Sequence, residues 1–443
     1  MGDFNSYPKV LIIGETFRYT GGGGITLINL FKDWPARNLA VVTEKIDETT
    51  IEGSCEKFYR LGHLEIKFPF PFNHINKSVV SGDVTVFVSN KVNISNSGQK
   101  RKIKSIIKYE LEKAYYRILI FLGLCNSDYR IIISDQLLDW IEEFSPDIIY
   151  AQPFRYRDMV FAQDLKEKTG IPLALHIMDD SVSFSNKPNL LHFFWKKKIN
   201  DTFSRLVENA DIHLSISEAM SDEYFKRYNK NFIPFRNPID VNEWSKYIKK
   251  DWTLQEEINI IYTGRLAVPN VNALFTFCKV VDKFKDHAHI VKLHIYSIDK
   301  NVKFNSKIRN LKSVIIHDSV DSDEIPSLIS KFDIAFLPID FTQKGIVYAK
   351  YSISTKTSEY MISGVPILLF APKQVALTSY ALKTKSMYAV SVNSMNRLAH
   401  AIEELINDEK LRTSFAIKAI AIAKAESDGV LVRNCFKELL HSY

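Results

Sequence analysis

The sequence predicts a doubly wound α/β fold in two successive units. Two observations carry this. Short apolar runs rich in β-branched residues alternate with segments of helical spacing, and the rhythm restarts once near residue 258. Strands alternating with helices form parallel sheets with crossover helices, and a strand buried on both faces reads as an unbroken apolar run.

In order, VLIIG (10–14) is the first buried strand. The run Gly21-Gly22-Gly23-Gly24 follows as a turn, then ITLINLFKDW with helical spacing, then LAVVT (39–43) as a second strand. Residues 52–100 are irregular, with FPFPF (68–72) and a hairpin pattern in VTVFVSN (84–90). DIIYAQ (147–152), a helix through Lys168, IPLALHI (171–177), a helix ending near Asn209 and ADIHLSIS (210–217) complete the first unit. The second opens with INIIYTG (258–264). A helix at 272–284, strands VKLHIYS (291–297) and SVIIHD (313–318), a helix at 323–331, strand DIAFLPI (333–339), a helix at 356–362 and strand VPILLFA (365–371) follow. The tail from about 397 is helical. The expected divisions are 1–238, 239–425 and a last helix, 426–443, that crosses back to the first unit.

Composition bounds the function. The 443 residues are 46% hydrophobic and 25% charged, a globular balance that excludes disordered chains. Cys55, Cys125, Cys278 and Cys435 lie far apart, which excludes a disulfide scaffold and a Cys-rich zinc module and predicts buried, reduced thiols. MGDFNSYPKVLIIGE lacks the basic and long apolar regions of a signal peptide, so a cytoplasmic protein is expected. The net charge of +7 gathers partly in 100–117, and no recognition motif accompanies it, so nucleic acid is not expected as a partner.

Ligands of open α/β sheets bind beyond the carboxyl ends of the strands. Gly22, Gly23 and Gly24 follow the first strand, where bare backbone lets N–H groups approach a ligand. His176 ends a strand and is expected to point into the cleft, with Asp179 and Asp180 beyond it. No Asp-x-Asp or spaced His completes a metal site, so none is assigned. Arg155 and Arg157 follow DIIYAQ; they could meet a ligand's phosphate, and surface salt bridges explain them equally well. Gly264-Arg265 follows the first strand of the second unit, where Arg can clamp a diphosphate with two parallel hydrogen bonds. Ser354 and Thr355 are candidate helix N-caps. Lys356 then opposes the helix dipole, which points to a bound anion, and Glu359 on the same face could accept from vicinal hydroxyls of a ribose.

ALHIMDD, ADIHLSISEAMSDEY, IPFRNPIDVNEW, YTGRL and STKTSEYMISGVPIL, with the N-terminal strand and glycine run, stand in an order that resembles the GT-B glycosyltransferases, and among them the retaining group of family 4. The resemblance covers most of the chain. It implies two Rossmann-like domains facing each other across a cleft. It further implies a metal-independent, retaining transferase of hexosyl type without a resident cofactor. The donor, a nucleotide-diphosphate sugar, would lie on the second domain at Gly264, Arg265, Ser354, Thr355, Lys356 and Glu359. The acceptor would lie near Gly22–Gly24, Arg155, Arg157 and Asp179, with His176 beside the transferred sugar and Arg265 and Lys356 on the leaving diphosphate. The setting it implies is assembly of bacterial surface polysaccharide on a polyprenyl-diphosphate-linked glycan. Two positions depart from the pattern. Asn270 or Asn272 stands where a Lys is usual after GRL, and Tyr351 stands where a second Glu is usual, eight residues before Glu359. A nucleotide-sugar isomerase and a non-catalytic nucleotide-sugar-binding or membrane scaffold subunit are the alternatives.

The segment 100–122 carries a helical apolar stripe with its basic residues largely off it. Two readings fit: a helix lying on the anionic inner face of the cytoplasmic membrane, making the protein peripheral, or a packed helix with a solvated basic face.

Overall fold

The computed structural model describes residues 7–18, 21–44, 53–68, 79–84, 115, 117–124, 129–184, 189–286 and 289–442. The basic residues 100–114, most of FPFPF and most of the hairpin expected at 84–90 lie outside them.

The first half runs β1 (Val10–Ile13), α1 (Gly22–Leu30), β2 (Leu39–Thr43), β3 (Lys57–Arg60), β4 (Ile66–Lys67), β5 (Gly82–Asp83), β6 (Arg130–Ile131), α2 (Asp135–Phe144), β7 (Ile148–Ala151), α3 (Tyr156–Thr169), β8 (Leu173–Ile177), α4 (Ser181–Phe184), α5 (His192–Asn209), β9 (Ile212–Ser215), α6 (Glu218–Tyr228) and β10 (Ile233–Pro234). Eight of these strands form one sheet in the order β10-β9-β8-β7-β1-β2-β3-β5, parallel except for β5. β3 and β5 thus give order to part of the stretch read as irregular. The four residues of β1 and of β7 are all buried, because helices cover both faces. One face packs Leu11, Ile149 and Leu175 against α2, α3 and α5; the other packs Ile12, Tyr150 and Ala174 against α1. Ser134 and Ser217 accept bonds from Leu137 N and Met220 N, which starts α2 and α6 where their apolar spacing begins.

The second half runs α7 (Val241–Ser245), β11 (Glu257–Thr263), α8 (Val271–Val281), β12 (Ile290–Tyr296), α9 (Val302–Ile308), β13 (Val314–His317), α10 (Ile325–Ile329), β14 (Ile334–Pro338), α11 (Gln343–Ala349), α12 (Lys356–Ser363), β15 (Ile367–Phe370), α13 (Ala376–Thr384), β16 (Tyr388–Val390), α14 (Met395–Asn407), α15 (Glu409–Glu426) and α16 (Gly429–His441). Its six strands are all parallel, in the order β13-β12-β11-β14-β15-β16. α8 and α14 cover one face, while α12, α13 and α15 cover the other.

The chain passes between the halves twice, and the two passages touch. Ile239 N donates to Ser427 O (2.9 Å) and Gly429 N donates to Ile239 O (2.8 Å). Beyond the second passage α16 lies on the first half. There Phe436 is fully buried among Phe31, Trp34, Tyr150 and Phe235, and Arg433 pairs with Asp33. Among the described cysteines, Cys55 and Cys278 are buried but Cys435 is exposed, because it sits on the outer side of α16. That corrects the expectation of buried thiols throughout.

Candidate functional site

Each sheet has one point where strand order reverses, between β7 and β1 in the first and between β14 and β11 in the second. Such points open a crevice at the carboxyl ends of the strands. Here the two crevices face each other. A Cβ added to Gly22 would lie 3.8 Å from Thr355 Cγ2. Ser352 Oγ donates to Asp179 Oδ1 at 3.0 Å, and Ser217 Oγ donates to the Tyr351 carbonyl.

On the second half, the N-terminus of α12 is the centre. Neither Ser354 nor Thr355 caps it through its side chain, contrary to expectation. Thr355 already has helical angles, and Ser354 contributes its carbonyl, which accepts from Thr357 N at 2.9 Å. A helix end without a side-chain cap keeps N–H donors for an anion. Lys356 folds back beneath Gly264. A Cβ at Gly264 would sit 2.1 Å from Lys356 Cε, and its φ of 136° is one that side chains avoid, so only glycine serves at this turn. Burial lowers the Lys356 pKa, with Glu359 opposing and Arg265 adding to the fall. Burial raises the Glu359 pKa to about 7, with Lys356 opposing. The two stand one turn apart on α12, part-buried in the wall of the cleft.

Arg265 projects beside them with its side chain 64% exposed, and its guanidinium contacts Asp299 (Nη2 to Oδ1, 3.2 Å). Asp299 also accepts from Leu266 N at 2.8 Å. Sequence reasoning missed Asp299, although its place just past the carboxyl end of β12 is one where ligand-facing residues gather.

Asp340, likewise missed, explains one departure. It is fully buried past β14, and its Oδ1 accepts from Asn272 N (2.9 Å) and Ala273 N (2.8 Å). Asn272 Nδ2 donates to its Oδ2 at 2.9 Å. A carboxylate of the chain itself therefore fills the N-terminus of α8. Asn270 is the residue before α8, its side chain 3.4 Å from the Tyr262 hydroxyl.

On the first half, Gly22, Gly23 and Gly24 are not a loop before a helix but the first turn of α1, whose N-cap is Gly21. The missing side chains make room for neighbours: a Cβ on Gly23 would meet Glu15 Oε2 at 2.7 Å and one on Gly24 would meet Arg18 O at 2.6 Å.

His176 does not open onto the cleft. It has no exposed surface, and the two-residue period of β8 turns it to the side of Ala174 and Tyr150, away from Leu175 and Ile177. Its Nδ1 lies 2.6 Å from the Tyr150 hydroxyl, which accepts from Gln152 Nε2 at 2.8 Å. Burial pushes its pKa down to about 4, so the ring is neutral.

Arg157 is also turned inward. Its guanidinium lies 3.9 Å from the centre of the Tyr129 ring and beside Glu44, so it is not presented to an acceptor. Arg155 is exposed at the residue before α3. Asp179 joins the halves through Ser352, and burial raises its pKa to about 6, with bonds from Ser352 and Tyr348 opposing. Asp180 is structural: buried, it accepts from Arg227 through both oxygens at 3.1 Å and from the Tyr224 hydroxyl at 3.0 Å. Tyr351, the second departure, is buried with its ring 5.4 Å from the Arg227 guanidinium. Among the described residues no three His, Cys, Asp or Glu side chains gather as a metal site.

No protein-family model matches the chain, and no curated protein matches it by sequence. Solved structures do match. Sucrose-phosphate synthase from Thermosynechococcus elongatus superposes with a TM-score of 0.63 at 11% identity, over 98% of this chain and 98% of that one. HepE from Anabaena, in complex with UDP and glucose, gives a TM-score of 0.63 at 14% identity, over 99% of this chain and 100% of that one. WaaG, a glycosyltransferase involved in lipopolysaccharide biosynthesis, gives 0.57 at 11% identity, over 97% and 99%. These neighbours are GT-B glycosyltransferases. Matched over nearly its whole length, with two parallel sheets facing across a crevice, the chain has the GT-B fold.

Proposed function

We propose that the chain is a glycosyltransferase that moves a sugar from a nucleotide-diphosphate sugar to a hydroxyl of a glycan acceptor. The observation that carries this is the uncapped N-terminus of α12, with Lys356 and Arg265 beside it and Glu359 in its first turn. A diphosphate fits that charge, and a carboxylate one turn away fits vicinal hydroxyls. HepE in complex with UDP-glucose supports the choice of donor.

In this reading Gly264 lets Lys356 reach the diphosphate, and Arg265 moves from Asp299 onto the departing phosphate. These cations and the N–H groups of α12 stabilise the leaving group without a divalent ion or a resident cofactor. The acceptor enters over Gly22–Gly24, Arg155 and Asp179. The sugar is a hexose transferred with retention at its anomeric carbon, and the acceptor is a lipid-linked glycan of surface polysaccharide assembly. His176, neutral and buried on Tyr150, holds the strand end and touches no substrate.

Thermal unfolding with nucleotides and nucleotide sugars tests this. A ligand at a hundred times its Kd should stabilise the wild type by about 2.7 kcal/mol. The effect should vanish in Glu359→Ala. If no nucleotide shifts the transition at millimolar concentration, donor binding is absent. Stabilisation without transfer or hydrolysis would mark a binding subunit instead.

A further inference from the structure

We propose that the helical residues 117–121 and the start of α5, residues 190–197, form one surface that docks onto an anionic lipid bilayer. Its purpose, though not its geometry, rests on the lipid-linked acceptor proposed above.

Large apolar side chains crowd here in the open: Phe193 is 84% exposed, Leu190 66%, Phe121 61%, Ile118 56% and Phe194 54%. Water does not favour such a cluster on a surface, and clusters of this kind mark interaction sites. The two segments are locked together. Leu190 N donates to Phe121 O at 2.9 Å. Gly123 turns with φ 77°, and a Cβ there would meet Asn189 Oδ1 at 2.5 Å, so the close approach requires glycine. On α5, Trp195 and Ile199 are buried in the sheet layer, and helical spacing sends Phe193 and Lys197 outward together.

Charge selects the occupant. Arg117, Lys196 and Lys197 are exposed beside the apolar groups, and neither 115–124 nor 189–198 contains an Asp or Glu. Lys198 Nζ lies 5.5 Å from the Phe194 ring centre and 5.3 Å from that of Trp195, its stem along the rings. A second copy would bring the same positive charges face to face. An anionic bilayer accepts rings and aliphatic groups at its boundary and cations at its headgroups.

Position gives the surface a use. β8 ends at the cleft, where Asp179 meets Ser352, and α4 packs on α11 across it. α5 begins from that end of the sheet, so the surface lies at the rim on the acceptor side.

Flotation of the full chain with vesicles tests this, using phosphatidylcholine alone and phosphatidylcholine mixed with phosphatidylglycerol. The wild type should float with the mixed vesicles only. Phe121→Ser with Phe193→Ser should abolish flotation. Each Lys near an anionic surface strengthens partitioning about five-fold, so Lys196→Ala with Lys197→Ala should weaken it about twenty-five-fold. Lys303→Ala, exposed on α9, should change nothing. Stabilisation by UDP-glucose, measured alongside, should be the same in all variants, which shows that they are folded. The surface is overturned if the wild type does not float, or if both double variants float as it does. It is also overturned if flotation depends only on Lys100, Arg101, Lys102 and Lys104, or if the Phe variant instead breaks a dimer that binds no vesicle. Flotation as expected without any stabilisation by nucleotide supports the surface and counts against the donor reading.

Discussion

Raising the pH from about 6 to about 8 should tighten the binding of UDP-glucose about ten-fold in the wild type and leave Glu359→Gln unchanged. In the proposed role Glu359 accepts from two ribose hydroxyls, which only the ionised carboxylate does with both oxygens. Burial holds its pKa at about 7, against 4.5 for a free side chain. About one molecule in eleven is therefore ionised near pH 6 and about ten in eleven near pH 8, a difference of about 1.4 kcal/mol in binding. The sign for stability runs the other way. A carboxyl raised in the folded chain contributes stability that is complete below its unfolded pKa and is lost as pH rises through the folded one, here about 3 kcal/mol in all. Rising pH thus strengthens binding and weakens the fold through one group. Lys356 gives the contrasting sign: its lowered pKa means that its deprotonation, where it occurred, would weaken diphosphate binding as pH rises. UDP-glucose is the right probe, because its diphosphate diester has no proton to lose in this range, whereas UDP does. Calorimetric titration at fixed ionic strength measures the affinities. A flat profile in the wild type, or the same slope in Glu359→Gln, would refute the assignment of Glu359.

Two further substitutions test the framework. Asp180→Asn removes the charge facing Arg227 and should cost about 3 kcal/mol in urea unfolding, because a buried pair broken on one side strands the other; a loss below about 1 kcal/mol would mean that Glu223 satisfies Arg227 alone. Phe436→Ala should cost about 3–5 kcal/mol by the cavity it leaves among Phe31, Trp34, Tyr150 and Phe235, and a near-neutral result in thermal unfolding would show that α16 is not needed by the first half.

The strands were legible because burial on both faces forces continuous apolar runs, as in VLII and IIYA. Gly264, Arg265, Lys356 and Glu359 were legible as candidates because the fold puts the ends of parallel strands at its crevice. What eluded the sequence follows from geometry of other kinds. His176 stands at a strand end, but the pleat decides which way it faces, and the period gives no hint of which layer is closed. The glycines were read as a turn before the helix; at Gly23 and Gly24 the helix includes them, although glycine weakens helices, because Glu15 and Arg18 occupy the side-chain space. Asp299 and Asp340 come from separate loops, 34 and 75 residues after Arg265, and only the strand order brings them to the loop that follows β11.

Those two carboxylates bear on selectivity. Arg265 rests on Asp299, Glu359 stands one turn from Lys356 on α12, and Asp340 fills the N-terminus of α8. A cation in a part-buried wall is costly without a partner, so nearby carboxylates offset that cost. They also set a condition for entry. A bare phosphate that took Lys356 would leave Glu359 buried beside it without a new partner. A nucleotide does not have this defect, since its diphosphate takes Lys356 and Arg265 while its ribose gives Glu359 two donors. Asp299, left by Arg265, keeps the N–H of Leu266. In the proposed reading, preference for a nucleotide diphosphate over inorganic phosphate arises from what each ligand returns to the carboxylates it displaces, as much as from attraction to the cations.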